Sequence, residues 1–260
     1  MKSTMTDYRR GGLFGAFMVL LMFSACGRDE KKAPEQPAAS APAPASAPAP
    51  AMTAGASGGT IRGEVIFKGK VTPATLSVNK DQEVCGKDKP DQTVMVTADG
   101  KLQNAVISIS AGSGSAAPAK VVLDQKGCEY SPHVLAFPAG STVEVLNPDG
   151  ILHNVHTYSK VNSPINLAQP KFKKSMTVTF DKPEIVQVKC DVHSWMNGWL
   201  FIAGTPHFAL SDASGSFQLT GLPPGDHQLE IWHEKLGKQT KSVKLGAGET
   251  VTVNFEFAGS

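Results

Sequence analysis

The stretch Cys190-Asp191-Val192-His193-Ser194-Trp195-Met196 is the most informative part of the sequence. It places a thiolate, an imidazole and a thioether within one short segment, between two alternating, strand-like runs. A tight loop between two strands can direct all three side chains toward one point. With one further histidine, they make up the two imidazoles, one thiolate and weak axial thioether of a blue-copper site.

The donor set favours copper over other metals. Soft sulfur favours Cu(I) and imidazole accommodates Cu(II), so neither oxidation state is strongly preferred. A zinc site would more often use four Cys or His ligands without methionine. The expected cofactor is therefore one mononuclear copper ion.

A second imidazole is available upstream, in Asn147-Pro148-Asp149-Gly150-Ile151-Leu152-His153-Asn154-Val155-His156. A turn leads here into a strand. His153 and His156 are three residues apart, so on an extended strand they point to opposite faces and should not both bind one metal.

The pattern from Thr60 onward predicts an all-β fold. Short alternating segments such as Ile61–Phe67 and Ala105–Ile109 are separated by Gly, Pro, Asn and Asp, and no convincing long helix is present. The remaining candidate strands are spread over residues 120–257.

The motifs His153-Asn154-Val155-His156 and Cys190-x-x-His193-x-x-Met196 resemble those of the cupredoxin family, of the amicyanin and plastocyanin type. The strand, Ala-Gly turn and strand over 130–147 resemble the part that precedes the first ligand. The resemblance implies a Greek-key β-sandwich over about 85 residues.

By position, the resemblance implies a type 1 site with His153 and His193 as imidazole ligands, Cys190 as thiolate ligand and Met196 as axial ligand. Asn154 would hydrogen-bond toward the cysteine-bearing loop. Where the relatives have prolines around the second histidine, this loop has Val192 and Ser194. Cupredoxins commonly expose the edge of the second histidine in an apolar docking patch, to which Trp195 and Trp199 would contribute.

The carboxyl-terminal part resembles a carboxypeptidase regulatory-like (transthyretin-like) β-sandwich. The resemblance rests on residues 211–217 and on the Pro223-Pro224-Gly225 turn. Because that family opens with strands like 60–67 and 102–109, we expect one discontinuous sandwich over 60–118 and 206–258, with a cupredoxin at 119–205 inserted. The alternative is a cupredoxin with a long amino-terminal extension and a separate small domain.

The amino terminus predicts export. Lys2, Arg9 and Arg10 precede an apolar run over 13–23, which is too short to span a bilayer, so residues 1–25 are expected to be a cleaved signal peptide. Phe23-Ser24-Ala25-Cys26 resembles a bacterial lipobox, which implies lipidation of Cys26, although Phe23 replaces the usual Leu. The alternative is an ordinary signal peptide with a chance cysteine. Residues 26–59, rich in Pro, Ala and Ser, are expected to be a linker.

The remaining cysteines divide by their surroundings. Cys85 and Cys128 both lie among polar turn residues and make a plausible disulfide in an exported protein. Cys190 is left over and needs a role of its own. Of the other histidines, His133 is expected to pack at a strand start, and the last three lie in or near the carboxyl-terminal unit: His207, His227 and His233.

Charge and motifs exclude several functions. Removing residues 1–25 removes three positive charges and one negative charge, so the formal charge of +2 becomes zero and nucleic-acid binding is not indicated. No hydrolase elbow, phosphate-binding loop or second histidine cluster is found, so no enzyme activity is expected.

The expected function is single-electron transfer by a copper protein tethered in the bacterial cell envelope, between an unidentified redox donor and acceptor. Copper storage or delivery, and a metal-free binding module, are the alternatives. Gly27 after the lipidated cysteine resembles the sorting signal for an outer membrane, facing the periplasm.

Overall fold

A computed structural model describes residues 58–109 and 114–259, which lie in one compact unit. The predicted signal peptide, the lipidation site Cys26 and nearly all of the linker lie outside the described residues. The all-β prediction is confirmed, because strands dominate and the single helix in the described part has four residues. Within residues 58–109 and 114–259, no helix has the length and apolarity needed to cross a membrane.

The first β-sandwich is built from the two flanks of the described chain. Its eight strands are β1 (Gly59–Lys68), β4 (Val106–Ile109), β13 (Phe208–Leu210), β14 (Ser216–Leu222), β15 (Gly225–His233), β16 (Gly237–Leu245), β17 (Thr250–Thr252) and β18 (Phe255–Ala258). One sheet has the order β14-β1-β17, with β18 also paired to β1, and the other has the order β13-β4-β15-β16.

Strand β1 is the element that joins the two flanks of this sandwich. Its residues alternate between buried and less buried positions, as a strand with one face on a core requires. It pairs antiparallel with β14 and parallel with β17 and β18. A Cβ atom at Gly63 would lie 1.8 Å from the carbonyl oxygen of Val253, so only glycine allows the chain between β17 and β18 to approach β1.

The second sandwich is built from the middle of the chain. Its strands are β5 (Lys120–Asp124), β6 (Val134–Pro138), β7 (Ser141–Leu146), β8 (His153–Thr157), β9 (Asn166–Gln169), β10 (Ser175–Phe180), β11 (Glu184–Lys189) and β12 (Asn197–Ala203). A three-stranded sheet, β10-β7-β5, faces a five-stranded sheet, β6-β12-β11-β8-β9. Their shared core contains Cys190 and Met196.

A short excursion of the chain, which we call the cap segment (residues 75–90), leaves the first sandwich and packs on the second. It consists of β2 (Thr75–Ser77), the helix α1 (Gln82–Cys85) and β3 (Asp88–Pro90), with β2 and β3 paired antiparallel. Val78 and Cys85 are buried in the core of the second sandwich. The domain limits expected from the sequence remain a prediction. They place the cap segment with the first sandwich, whereas Val78 and Cys85 pack in the core of the second.

The two sandwiches share an apolar contact between neighbouring sheets. Val106 and Trp232 of the first pack with Val134, Phe201 and Ala203 of the second. Beside them, the buried carboxylate of Glu234 accepts a hydrogen bond of 2.7 Å from Trp199 Nε1 and forms an ion pair with His133 Nε2. Strand β12 follows the loop over residues 190–196, which we call the ligand loop, and it thereby contacts both sandwiches.

His233, at the end of β15, provides a pH-dependent stability. Burial lowers its pKa from 6.5 to about 4, so the unfolded chain takes up the proton first as the pH falls. The contribution of His233 to the free energy of unfolding is therefore complete above about pH 6.5 and is lost on acidification toward pH 4. Between about pH 7 and about pH 4.5, we expect the free energy of unfolding, measured in urea, to fall by roughly 2 to 3 kcal/mol less in His233→Gln than in the wild type. Equal losses in the two proteins would contradict this.

Candidate metal centre

Two neighbouring strands bring the predicted ligands to one end of a sheet. His153 is the first residue of β8, and Cys190 directly follows β11. These strands pair antiparallel, with Lys189 opposite His156. The end of one strand and the start of the other therefore lie side by side, which places Cys190 beside His153 although they are far apart in sequence.

The loop after Cys190 is closed by its own backbone. The amide of Met196 donates to the carbonyl of His193 at 3.0 Å, and the amide of Cys190 donates to the carbonyl of Met196 at 3.1 Å. These bonds fold the segment into a tight turn at the sheet end. The turn brings the imidazole of His193 back beside the thiol of Cys190.

Three ligand atoms converge in the buried site. His153 Nδ1 and His193 Nδ1 are 3.0 Å apart, and Cys190 Sγ is 3.7 Å from His193 Nδ1. All three side chains are buried, and their potential ligand atoms lie within 4.8 Å of one another. Metal–nitrogen bonds of about 2.0 Å and metal–sulfur bonds of about 2.3 Å allow one ion to reach all three atoms.

The far side of each imidazole ring is held by a carboxylate. His153 Nε2 lies 3.0 Å from Asp149 Oδ2, and His193 Nε2 lies 3.0 Å from Asp81 Oδ2. A carboxylate at Nε2 accepts a hydrogen bond from the N–H group at that atom. The neutral ring therefore carries its lone pair on Nδ1. Two lone pairs and a thiolate then face one point, an arrangement that a cation stabilises.

Electrostatics favour a thiolate at Cys190. Burial by itself would raise the pKa of this thiol, but hydrogen bonds from the His153 side chain and from backbone amides of Asn154, His193 and Val192 lower it below its usual value. Metals bind the thiolate, so the site is prepared for one.

The two imidazoles differ in their electrostatics. Burial favours the neutral form of His153, but Asp149 and Cys190 outweigh it and raise the pKa of His153. Burial lowers the pKa of His193, and the hydrogen bond to Asp81 opposes this only in part. Metal binding needs neutral imidazoles and a thiolate, so a bound metal ion would displace any proton held among these atoms.

The donor set therefore fits copper. Two imidazole nitrogens and one thiolate are in place, and the Met196 side chain is buried in the core beside the same loop. Asp149 lies near Cys128 as well as His153, but the sulfur of Cys128 is in a disulfide with Cys85 and is no ligand. The predicted disulfide is confirmed.

Asn154 connects the first histidine strand to the cysteine-bearing loop. Its Oδ1 accepts a hydrogen bond of 2.7 Å from the amide of Asp191, and its Nδ2 donates to Asp191 Oδ2 and to Asn166 Oδ1. The residue is 5% exposed, so these bonds have little competition from water. They hold the residue after Cys190 in position.

The remaining histidines do not join this centre. His156 lies on β8 and bonds Asp191 at the surface, His133 pairs with Glu234, and His207 and His233 are buried in the first sandwich. His227 bonds the carbonyl of Pro223.

The structure corrects the expected docking patch. Trp195 is only 6% exposed, stacks beside His193 with ring centroids 5.0 Å apart, and donates from Nε1 to the carbonyl of Cys128. Trp199 packs against Trp232 at the contact between the sandwiches. The Trp195 ring is buried and the side chain of His193 has no exposed surface, so neither forms an exposed apolar patch, while Trp199 is partly buried.

Sequence reasoning missed the two carboxylates of the centre. Asp149 lies four residues before His153 in a turn, so its proximity could have been considered. Asp81 is 112 residues away from His193, and no local sequence signal connects the two.

We expect Asn154→Ala to weaken the ligand loop. The change leaves the amide of Asp191 without its acceptor, and such a loss costs about 1 to 3 kcal/mol of unfolding free energy in the metal-free protein. Urea unfolding followed by tryptophan fluorescence measures it. Asn166→Ala is the matched control, because Asn166 is exposed and its loss leaves the contacts between Asn154 and Asp191 intact. Equal losses in the two variants would contradict the assigned role.

Comparisons with known proteins found one matching family model and several similar solved structures. Residues 201–258 match the family model of the carboxypeptidase regulatory-like domain. No curated protein matches the chain. Similar solved structures include a purple cupredoxin from Nitrosopumilus maritimus, at 21% identity over 33% of this chain and 99% of that one, with a TM-score of 0.28.

Two further solved structures are similar to part of the chain. A mutant of amicyanin with Cu(I) is 22% identical over 37% of this chain and 98% of its own, with a TM-score of 0.30. A Cu-containing nitrite reductase from Thermus scotoductus SA-01 is 25% identical over 37% of this chain and 25% of its own, with a TM-score of 0.29. Residues 201–258 thus match the family model of the carboxypeptidase regulatory-like domain, and the similar solved structures include cupredoxins.

Proposed function

We propose that the chain is a type 1 copper protein that transfers single electrons and does not itself turn over a substrate. The observation that carries the proposal is the convergence of His153 Nδ1, His193 Nδ1 and Cys190 Sγ in a buried site. Copper bound there would accept one electron as Cu(II) and release it as Cu(I).

The residues of the chain would contribute orientation and exclusion of water. Each imidazole is held from behind by a carboxylate, and the ligand loop is closed by backbone hydrogen bonds. Ligands held in this way move little when the charge of the ion changes. Small rearrangement is what a rapid electron carrier needs, which favours electron transfer over copper storage or delivery.

The proposed location is the bacterial cell envelope, with Cys26 lipidated and residues 26–59 holding the folded part away from the bilayer. The signal-like segment before Cys26 and the disulfide between Cys85 and Cys128 support export to an oxidising compartment. We favour the outer membrane, facing the periplasm. The proposed partners are a redox donor and a redox acceptor that bind weakly and transiently.

Visible absorption after addition of Cu(II) tests this function. We expect an intense band from thiolate-to-copper charge transfer that bleaches on reduction and returns on reoxidation, and that is absent in Cys190→Ser. Ser194→Ala is the matched control, because this exposed residue lies in the same loop and is no proposed ligand.

The outcomes separate the alternatives. Copper retained through repeated redox cycles supports electron transfer. Copper released at each reduction would replace that proposal by storage or delivery, and a protein that binds no copper would be a metal-free module.

Met196→Leu tests the axial ligand. Leucine has a similar volume but offers no lone pair. Although the thioether is soft, electron donation from a weak axial ligand matters more to the more highly charged Cu(II) than to Cu(I), so Cu(II) loses more stabilisation. We expect the blue band to persist and the reduction potential, measured by redox titration, to rise. An unchanged potential would exclude Met196 as a ligand.

A further inference from the structure

The edge of the second histidine is covered by a distant part of the chain. The side chain of His193 has no exposed surface, and its Nε2 atom lies 3.0 Å from Asp81 Oδ2. Asp81 belongs to the cap segment, and its own side chain is 36% exposed. The carboxylate of Asp81 therefore stands between the imidazole and the solvent.

The carboxylate of Asp81 is not used by the helix that it precedes. An aspartate at this position commonly accepts a hydrogen bond from an amide of the first helical turn. Here no such side-chain bond is made, and the amides of Val84 and Cys85 bond to the backbone carbonyl of Asp81. Asp81 also has a left-handed backbone, with φ of 50°, which is uncommon for a residue other than glycine. The side chain is thus directed to His193 instead of to the helix.

The cap segment is fastened where it covers the site. Cys85, at the end of α1, forms the disulfide with Cys128, and Val78 is buried in the core of the second sandwich. The amide of Val78 donates to the carbonyl of Lys87 at 2.9 Å, which closes the base of the segment. Asp81 therefore lies between two buried attachment points.

The same disulfide also reaches the other parts of the centre. The amides of Gly127 and Cys128 donate to the carboxylate of Asp149, at 2.7 and 2.8 Å, and Asp149 holds His153. The carbonyl of Cys128 accepts the hydrogen bond from Trp195, whose ring packs on His193. One covalent link thus fastens the supports of both imidazoles.

We propose that Asp81 is a positioning residue and that residues 75–90 form a disulfide-fastened shield over His193. The shield holds Nδ1 of His193 toward Cys190 and keeps water, chelators and small external ligands from the histidine edge. It rests on the proposed function only for what the metal would do there, because the closure of the shield can be measured without metal.

Chemical modification of histidines by diethyl pyrocarbonate, read by peptide mass spectrometry on the metal-free protein, tests the shield. In the wild type, His193 should react far more slowly than the partly exposed His156. In Asp81→Ala the modification rate of His193 should rise about tenfold or more, as expected for the loss of one charge-assisted hydrogen bond. Asp81→Asn, which retains a hydrogen-bonding group, should give a smaller increase.

The controls separate opening of the shield from general loosening. Glu83→Gln removes the same charge from an exposed residue of the same helix and should leave the rate for His193 unchanged. His153 is equally buried but is held by Asp149, so it should stay protected in the Asp81 and Glu83 variants. An unchanged rate for His193 in Asp81→Ala would overturn the proposal. A parallel rise for His153 and His193 in Asp81→Ala would also overturn it.

The role of the disulfide is tested by replacing Cys85 and Cys128 together with alanine. We expect modification of His193 to increase in this variant as well, and an unchanged rate would show that the disulfide does not fasten the shield. If the wild type binds copper, removal of copper by a chelator should accelerate in Asp81→Ala and not in Glu83→Gln. A wild type that binds no copper would contradict the proposed function but leave the modification result valid.

Discussion

A buried cysteine sulfur is the constraint on which the centre depends. Cys190 is 3% exposed, so a thiolate there would have almost no water to stabilise its charge. The structure compensates with amide hydrogen bonds and with two imidazoles whose Nδ1 atoms face the sulfur. A bound cation would complete this compensation. The arrangement is therefore more typical of a metal site than of an ordinary buried cysteine.

The two carboxylates transmit this constraint to the surrounding fold. Asp149 comes from the turn before β8 and holds His153, and Asp81 comes from the cap segment and holds His193. The disulfide between Cys85 and Cys128 connects the two supports. Ligand geometry is thus maintained by parts of the chain that contribute no ligand.

The first sandwich contacts the strand that follows the ligand loop. Glu234 accepts a hydrogen bond from Trp199 and pairs with His133, and the carbonyl of His133 accepts the amide of Trp199. Trp199 lies on β12, the strand that begins directly after the ligand loop. The first sandwich is therefore connected, through Glu234, to the strand that follows the candidate centre.

The sequence by itself was sufficient for the all-β class, the pairing of Cys85 with Cys128 and the grouping of Cys190 with His193 as possible metal donors. These features depend on local alternation and on residue types at short spacing, which a single sequence records directly. Alternation along a strand also indicated that His153 and His156 would not both bind one metal, and the resemblance to cupredoxins implied His153 as the ligand.

Only the tertiary structure decided which distant groups meet at the centre. Asp81 reaches His193 because a disulfide and a buried valine attach the cap segment to the second sandwich. Trp195 was expected at the surface, but its ring is buried beside His193, and no local pattern distinguishes an exposed tryptophan from a buried one. Contacts between residues far apart in sequence depend on how the strands pair and pack, which composition and spacing do not specify.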